Sequence, residues 1–150
     1  MGLRILVDGD ACPVKEEVYR VAQRTRVPVT VVANSGLRIP DDPLISRVIV
    51  EAGPDVADDH IADDADEDAI VVTADIPLAD RCVKAGAVVI APNGKPFTPA
   101  SIGSAMATRA LMEQLRSTGA QMGGPLPFSR QDRSRFLQAL DTAIVRLRRR

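Results

Sequence analysis

Two aspartates, Asp8 and Asp10, stand one residue apart at the end of an apolar run, in "RILVDGDACPVK" (Arg4 to Lys15). A third, Asp75, closes another apolar run, "AIVVTAD" (Ala69 to Asp75), and a fourth, Asp58, lies near the start of an acidic segment. Carboxylates gathered in one place repel one another and raise each other's pKa. A hard divalent cation removes that penalty. Mg²⁺ or Mn²⁺ takes oxygen ligands and keeps several waters. Such a site suits hydrolysis of a phosphodiester: one ion lowers the pKa of a water, and a second stabilises the leaving oxygen. Asp8, Asp10, Asp58 and Asp75 are therefore the candidate catalytic and metal-binding residues. Mg or Mn is the expected cofactor, and RNA or DNA the expected partner.

Each of these residues also has a plainer use. Asp8 or Asp10 would serve as the cap of a helix opened by Pro13, although one cap is sufficient. Asp75 would cap a helix starting near Pro77. Asp59, Asp63, Asp64, Asp66 and Asp68 read as a solvated face, with Asp59 and Asp80 secondary candidates for the metal. Lys15 would hold a phosphate or form a surface ion pair. Thr73 and Ser35 would orient ligands or close turns. Cys12 stands near a helix N-terminus, where a thiol pKa falls, yet a small buried thiol is the simpler reading. His60 is alone, and no Cys/His zinc pattern is present.

The elements that must position these side chains follow from hydrophobic periodicity. Leu3 to Val7 reads as a strand, and Val14, Val18, Val21 and Ala22 recur at helical spacing. "VPVTVVAN" (Val27 to Asn34) is a second strand, "SGLRIPDDP" (Ser35 to Pro43) a loop, and "ISRVIVEA" a third strand. Residues 55–67 read as an acidic helix with Val56, Ile61 and Ala65 as its few apolar positions. Ala69 to Asp75 is a fourth strand. Pro77 starts a helix that stops at Gly86, and "AVVIAP" is a fifth strand. Thr98 caps a long helix ending near Gly119, with Ile102, Met106, Ala110 and Leu115 on one face. "GAQMGGPLP" is a flexible connector. Ser129 caps the last helix, in which Phe136, Leu137, Leu140, Ile144 and Leu147 line one side.

Strands that alternate with helices and are apolar throughout predict an α/β sandwich around a mostly parallel sheet. In such sheets ligands bind at the carboxyl ends of the strands, where strand order reverses. With the order 3-2-1-4-5, the first and fourth strands flank that point. Asp8, Asp10 and Asp75 then meet at one end of the sheet, and Asp58 joins from the side. A single domain over residues 1–150 is expected, with a helical C-terminal part from about residue 98.

Composition agrees with this class. The chain has 150 residues, 45% hydrophobic and 26% charged, with aromatics at 3%, so its core is aliphatic. No apolar stretch has the length to cross a bilayer, and no signal-peptide layout is seen, so no membrane partner is expected. Two cysteines make no disulfide framework, which fits a reduced, cytoplasmic protein. The net charge of −1 hides an asymmetry. Residues 51–80 carry 11 Asp/Glu and no Lys or Arg, whereas residues 81–150 carry 12 Lys/Arg against 3 Asp/Glu. That pattern suits a cation site beside a grip for a polyanion, or a solvated acidic helix with a basic tail. Arg81, Lys84, Lys95, Arg109, Arg130, Arg133 and Arg135 are candidates for the grip, with Lys15, Asn34, Arg130 and Arg133 singled out for substrate binding.

Several stretches are specific enough to carry a resemblance: "DGDACPVK" (Asp8 to Lys15), "VVAN" (Val31 to Asn34), "DVADDHI" (Asp55 to Ile61), "VVTADIPLA" (Val71 to Ala79) and "GGPLPFSRQDRSRF" (Gly123 to Phe136). Over essentially its whole length the chain resembles the YaiI/YqxD family of uncharacterised bacterial proteins. That family is assigned by similarity to the PIN-like fold, whose better-known members are metal-dependent ribonucleases. The resemblance implies a Rossmann-like α/β/α domain with an acidic Mg²⁺ or Mn²⁺ site. Carried over position by position, its acidic set is Asp8, Asp10, Asp58 and Asp75.

Two other readings compete with a nuclease. In phosphatases of the haloacid-dehalogenase type, an aspartate after the first strand is phosphorylated and a second, two residues on, is the acid/base; "DGD" fits that spacing. That type needs a Lys before its late metal-binding acids, however, and residues 48–80 contain no Lys or Arg. The third reading is a non-catalytic nucleic-acid-binding module on the same fold. The scarcity of aromatic rings argues against base-specific readout of single strands.

Overall fold

A computed structural model describes residues 2–53, 55–119 and 127–150. The first strand, β1 (Arg4–Asp8), runs into one turn of 3-10 helix at Gly9–Ala11 and then into helix α1 (Lys15–Thr25). Next come β2 (Val29–Ala33), β3 (Ile45–Ile49), α2 (Val56–Asp64), β4 (Ala69–Val72) and α3 (Ile76–Lys84). The chain continues through β5 (Val88–Ile90), β6 (Pro96–Phe97), α4 (Pro99–Ser117) and α5 (Arg130–Arg148). The predicted flexible connector at residues 119–127 lies for the most part outside the described residues.

The strands form one sheet in the order β3-β2-β1-β4-β5-β6. The first five are parallel, and β6 alone is antiparallel. The expected order 3-2-1-4-5 therefore stands, with one strand added at its edge. That added strand has only two residues, one of them a proline, and so carries almost no strand periodicity. Its turn does carry a signal. Asn93-Gly94 sits between β5 and β6, and Gly94 has φ +87°, which glycine adopts without strain. A Cβ on Gly94 would lie 2.5 Å from the Arg135 carbonyl carbon, so this turn packs directly on α5.

Two aliphatic layers cover the sheet. On one face α1 and α5 enclose Ile5, Val7, Val18, Val21, Val31, Phe136, Leu140 and Ile144. On the other, α2, α3 and the start of α4 enclose Leu6, Ile61, Val71, Leu78, Cys82, Val89 and Ile102. The helix expected from Pro13 begins two residues later, at Lys15, because Pro13 and Val14 still belong to the turn that reaches it. The apolar face read along α4 is covered only at its beginning. Ile102 is buried and Met106 packs on the core, but Ala110 and Leu115 are exposed, because the helix outruns α3 beneath it. Thr98 and Ser129 both cap their helices as expected, each in a reciprocal capping box.

No helix among the described residues is long and apolar enough to cross a membrane.

Candidate functional site

The carboxyl ends of β1 and β4 open into a cleft of about 320 Å³ at the point where the strand order reverses. Asp8, Asp10, Asp58 and Asp75 all line it, together with Asn34, Thr73 and Cys12. Four segments thus deliver four carboxylates to one place. Asp8 ends β1, Asp10 sits in the following 3-10 turn, Asp58 occupies the first turn of α2, and Asp75 is the N-cap of α3.

The DGD spacing has a steric basis. Gly9 is buried against β2, and a Cβ there would meet Val31 Cγ1 at 2.6 Å and the Val32 carbonyl at 3.1 Å. Only a residue without a side chain lets the turn lie this close, and the turn is what presents Asp8 and Asp10 to the same cleft. Lys15 closes the turn from behind, donating from Nζ to the Gly9 carbonyl at 2.9 Å.

Three of the four carboxylates, Asp8, Asp10 and Asp75, have their own support. Asp10 accepts from the Asn34 backbone N–H at 3.0 Å and from the Ser35 hydroxyl at 3.3 Å. With its amide nitrogen turned inward, the Asn34 side chain also donates to Asp10 at 3.2 Å. Thr73, 2% exposed, joins the other two: its hydroxyl donates to Asp8 at 2.9 Å and accepts from the Asp75 N–H at 3.0 Å. Asp75 accepts from the Leu78 N–H at 3.0 Å. It is therefore a helix cap as well as a wall of the cleft. Neither Asp8 nor Asp10 caps α1, so the plainer reading of that pair does not hold.

The crowding has electrostatic consequences. Burial pushes the Asp8 carboxyl above its ordinary value, against the Thr73 hydrogen bond, and the charges of Asp75 and Asp10 push it further. Asp58 is raised to about 6, first by burial, then by the charges of Asp75, Asp8 and Asp55, and by a hydrogen bond shared with Asp75. No Lys or Arg lines the cleft among the described residues, so the protein supplies no counter-charge there.

One neighbour was not foreseen, and another takes a more specific role than expected. Asp55 also lines the cleft, and its backbone is left-handed at φ 69°, a conformation that Asp tolerates better than most residues. Thr73 acts as a bridge between two aspartates, a role that only the parallel pairing of β1 with β4 creates. Cys12 borders the cleft as well, but burial pushes its thiol up to about 11, which leaves it protonated and unreactive at neutral pH.

Among the described residues, no three Asp, Glu, His or Cys side chains stand close enough to ligate one ion directly. Asp8, Asp10, Asp58 and Asp75 are oxygen donors of the kind that Mg²⁺ or Mn²⁺ takes, and an ion that keeps several of its waters would suit such a set. The set does not fit a dry cage of three or more protein ligands.

The basic residues read as a phosphate grip are largely spent on internal pairs. Arg81 binds Asp59 at 2.7 Å, and Lys84 binds Asp80 at 2.9 Å, which also removes both secondary metal candidates from the cleft. Arg109 pairs with Glu113, and Arg135 with Asp132. Arg133 is the most committed. It reaches the buried Glu17 at 2.7 Å and the Pro13 carbonyl at 2.8 Å, and its guanidinium lies 4.9 Å from the centroid of the Phe128 ring. Arg130 is exposed at the start of α5 and, like Lys15 and Arg133, does not line the cleft. Of the four residues singled out for substrate binding, Asn34 alone does.

A family model described as "Uncharacterized BCR, YaiI/YqxD family" matches residues 6–146. A UPF0178 protein of Sphingopyxis alaskensis is 66% identical over 146 residues, covering 97% of this chain and 95% of its own. UPF0178 proteins of Rhodopseudomonas palustris (strain ATCC BAA-98 / CGA009) and Nitrobacter winogradskyi are 62% and 60% identical over 147 residues; each alignment covers 98% of this chain, with 93% and 94% of theirs. No solved structure matches the chain.

Proposed function

The chain belongs to the YaiI/YqxD family, and we propose that it is a metal-dependent phosphodiesterase acting on RNA or DNA. The observation that carries this reading is the cleft of four carboxylates at the switch point of a parallel sheet, with no Lys or Arg among them in the described residues. Asp8 and Asp58, whose pKa values are driven up by burial and by neighbouring acids, destabilise the fold unless an external cation joins them. Asp8, Asp10, Asp58 and Asp75 would hold Mg²⁺ or Mn²⁺ with its waters. The ion would supply an acidified water and positive charge for the leaving oxygen.

The chain's own residues prepare that chemistry by fixing geometry. Thr73 holds the Asp8 carboxylate and the Asp75 backbone in one frame. The α3 N-terminus holds the Asp75 side chain, and the end of β2 holds Asp10. Asp58 completes the set from the flank. In hydrolysis the water oxygen bonds to phosphorus as the bond to the leaving oxygen breaks, and the leaving oxygen takes up a proton. The phosphatase alternative loses ground here, because it needs a lysine beside its aspartates and none lines this cleft among the described residues.

The test is an assay of purified protein on labelled RNA and single-stranded DNA in Mg²⁺, Mn²⁺ and EDTA. Asp8→Asn, Asp75→Asn and a phosphomonoester substrate run in parallel. Cleavage that needs the metal and disappears in both variants is the expected result. Turnover of the phosphomonoester alone would replace the reading with a phosphatase. Nucleic-acid binding without turnover, indifferent to EDTA, would replace it with a binding module.

A further inference from the structure

The acidic cleft shares a wall with a second hollow. Ala11, Ala74 and Pro92 border both, and Pro13, Ala91, Asn93, Phe128 and Asp132 complete the second, which has a volume of about 510 Å³. Its surface is made mostly of alanine, proline and one aromatic ring. Two polar groups stand among these. Asn93 Oδ1 accepts from the Lys95 N–H at 2.9 Å, which leaves the amide NH₂ of Asn93 as a donor. Asp132 is already used, accepting from the Ser129 N–H at 2.9 Å and from Arg135 at 3.3 Å.

Phe128 is mounted there by a chain of contacts that reaches the core. Arg133 lies over one face of the ring, 4.9 Å from its centroid. Glu17, 5% exposed, fixes Arg133 at 2.7 Å. A carboxylate buried to that degree is kept only where it is paired. The pair crosses from α1 to α5 and also takes in the Pro13 carbonyl, so one assembly holds both Pro13 and Phe128 in the wall of the hollow. This accounts for Arg133, whose charge the sequence had offered for phosphate.

We infer that this hollow is a nucleobase subsite: the base of a nucleotide whose phosphate lies in the acidic cleft packs against Phe128, with Asn93 donating to an acceptor on its edge. The inference rests on the phosphodiesterase reading and extends it to the rest of the nucleotide. Every base has a π-face, so stacking on one ring is tolerant of sequence. A shared wall places the base beside its own phosphate. With no lysine or arginine lining the cleft among the described residues, the base contact also supplies affinity that phosphate pairing does not.

The test compares two probes of equal length and charge: a short phosphorothioate-linked oligoadenylate, in ribo and deoxyribo forms, and the matching abasic chain. Binding is read by fluorescence anisotropy in Mg²⁺. The base-bearing chains bind roughly tenfold more tightly than the abasic chain, the range expected for one base on one ring. Phe128→Leu keeps the apolar bulk, removes the ring and brings the two probes together, while Phe128→Tyr retains the difference. Glu17→Gln, which loosens the mount, reduces it. Asp8→Asn weakens both probes and leaves their ratio intact. Equal affinity of the two probes for the wild-type protein would overturn the subsite and leave the phosphodiesterase reading standing, whether or not Phe128→Leu folds. A ratio that survives in folded Phe128→Leu would overturn it too. Binding of neither probe in Mg²⁺ or Mn²⁺ would overturn both readings.

Discussion

Replacing Asp58 with asparagine should make the metal-free protein more stable. In the folded chain Asp58 titrates at about 6 instead of its ordinary 3.8, first because it is partly buried and then because Asp75, Asp8 and Asp55 surround it. The folded state therefore binds this proton more tightly than the unfolded state. Stability from the group is full below pH 3.8, falls as pH rises toward 6, and is gone above that. The displacement is worth at most about 3 kcal/mol, and screening at a partly exposed side chain reduces that to about 1 kcal/mol. Asparagine at this position keeps the size and lacks the charge. In EDTA at pH 7.5 Asp58→Asn should melt about 2–4 °C higher than wild type, the shift that 1 kcal/mol produces in a chain of this size. As the pH falls toward 4 the wild type takes up its proton and the advantage shrinks. Adding Mg²⁺ reverses the order, because the ion stabilises the wild type and loses a carboxylate in the variant. Thermal melts by circular dichroism across pH, with and without Mg²⁺, make the comparison. A variant that melts at or below wild type in EDTA at pH 7.5 would refute the electrostatic account, as would an advantage that does not change with pH.

Three further substitutions probe the support of the site. Thr73→Val removes the hydroxyl that serves both Asp8 and Asp75, and should cost about 1–3 kcal/mol in urea unfolding; Thr73→Ser should restore most of it, and a valine variant as stable as wild type would show that the bridge is dispensable. Gly9→Ala forces a methyl to within 2.6 Å of Val31 Cγ1, and should lower the urea midpoint by the equivalent of about 1–3 kcal/mol while weakening Mg²⁺-dependent stabilisation. The Tyr19 hydroxyl is buried without a hydrogen-bond partner among the described residues, so Tyr19→Phe should be neutral or stabilising by up to about 1 kcal/mol in the same assay; a loss above that would reveal a partner.

How much of this was legible beforehand depends on the distance over which a feature is decided. The alternation of apolar strands with helices makes the parallel α/β class readable, and taking the order 3-2-1-4-5 within that class is what brings Asp8 beside Asp75. What fails is whatever pairs side chains across the chain. Arg133 and Glu17 are 116 residues apart, and charge counting cannot tell an internal tie from a free cation. The Leu115 face of α4 fails differently: its period is helical, but periodicity does not say where the neighbouring helix ends. Two-residue β6 is too short for any period, and Gly94 was its one clue.

The opposition between a structural and a catalytic use of an acid, which framed Asp75 at the start, dissolves in the geometry. Its side chain accepts the Leu78 N–H, and its backbone N–H is held by Thr73, which in turn holds Asp8. The cap ties the carboxylate to the start of α3, while the cleft crowds it with like charge. The cap thus gives the Asp75 side chain a fixed partner within the protein. Asp58 sits in the first turn of α2 without being its N-cap, and it is the carboxylate raised to about 6. The asymmetry implies an order of response to a cation. Asp58 is the group with most to gain, so Mg²⁺ binding near pH 6, where Asp58 is about half protonated, should release part of a proton chiefly from Asp58. Calorimetric titration in buffers of different ionisation enthalpy would count that proton, which should be absent in Asp58→Asn and present in Asp10→Asn. Proton release unchanged in Asp58→Asn would place the strain of the cluster elsewhere.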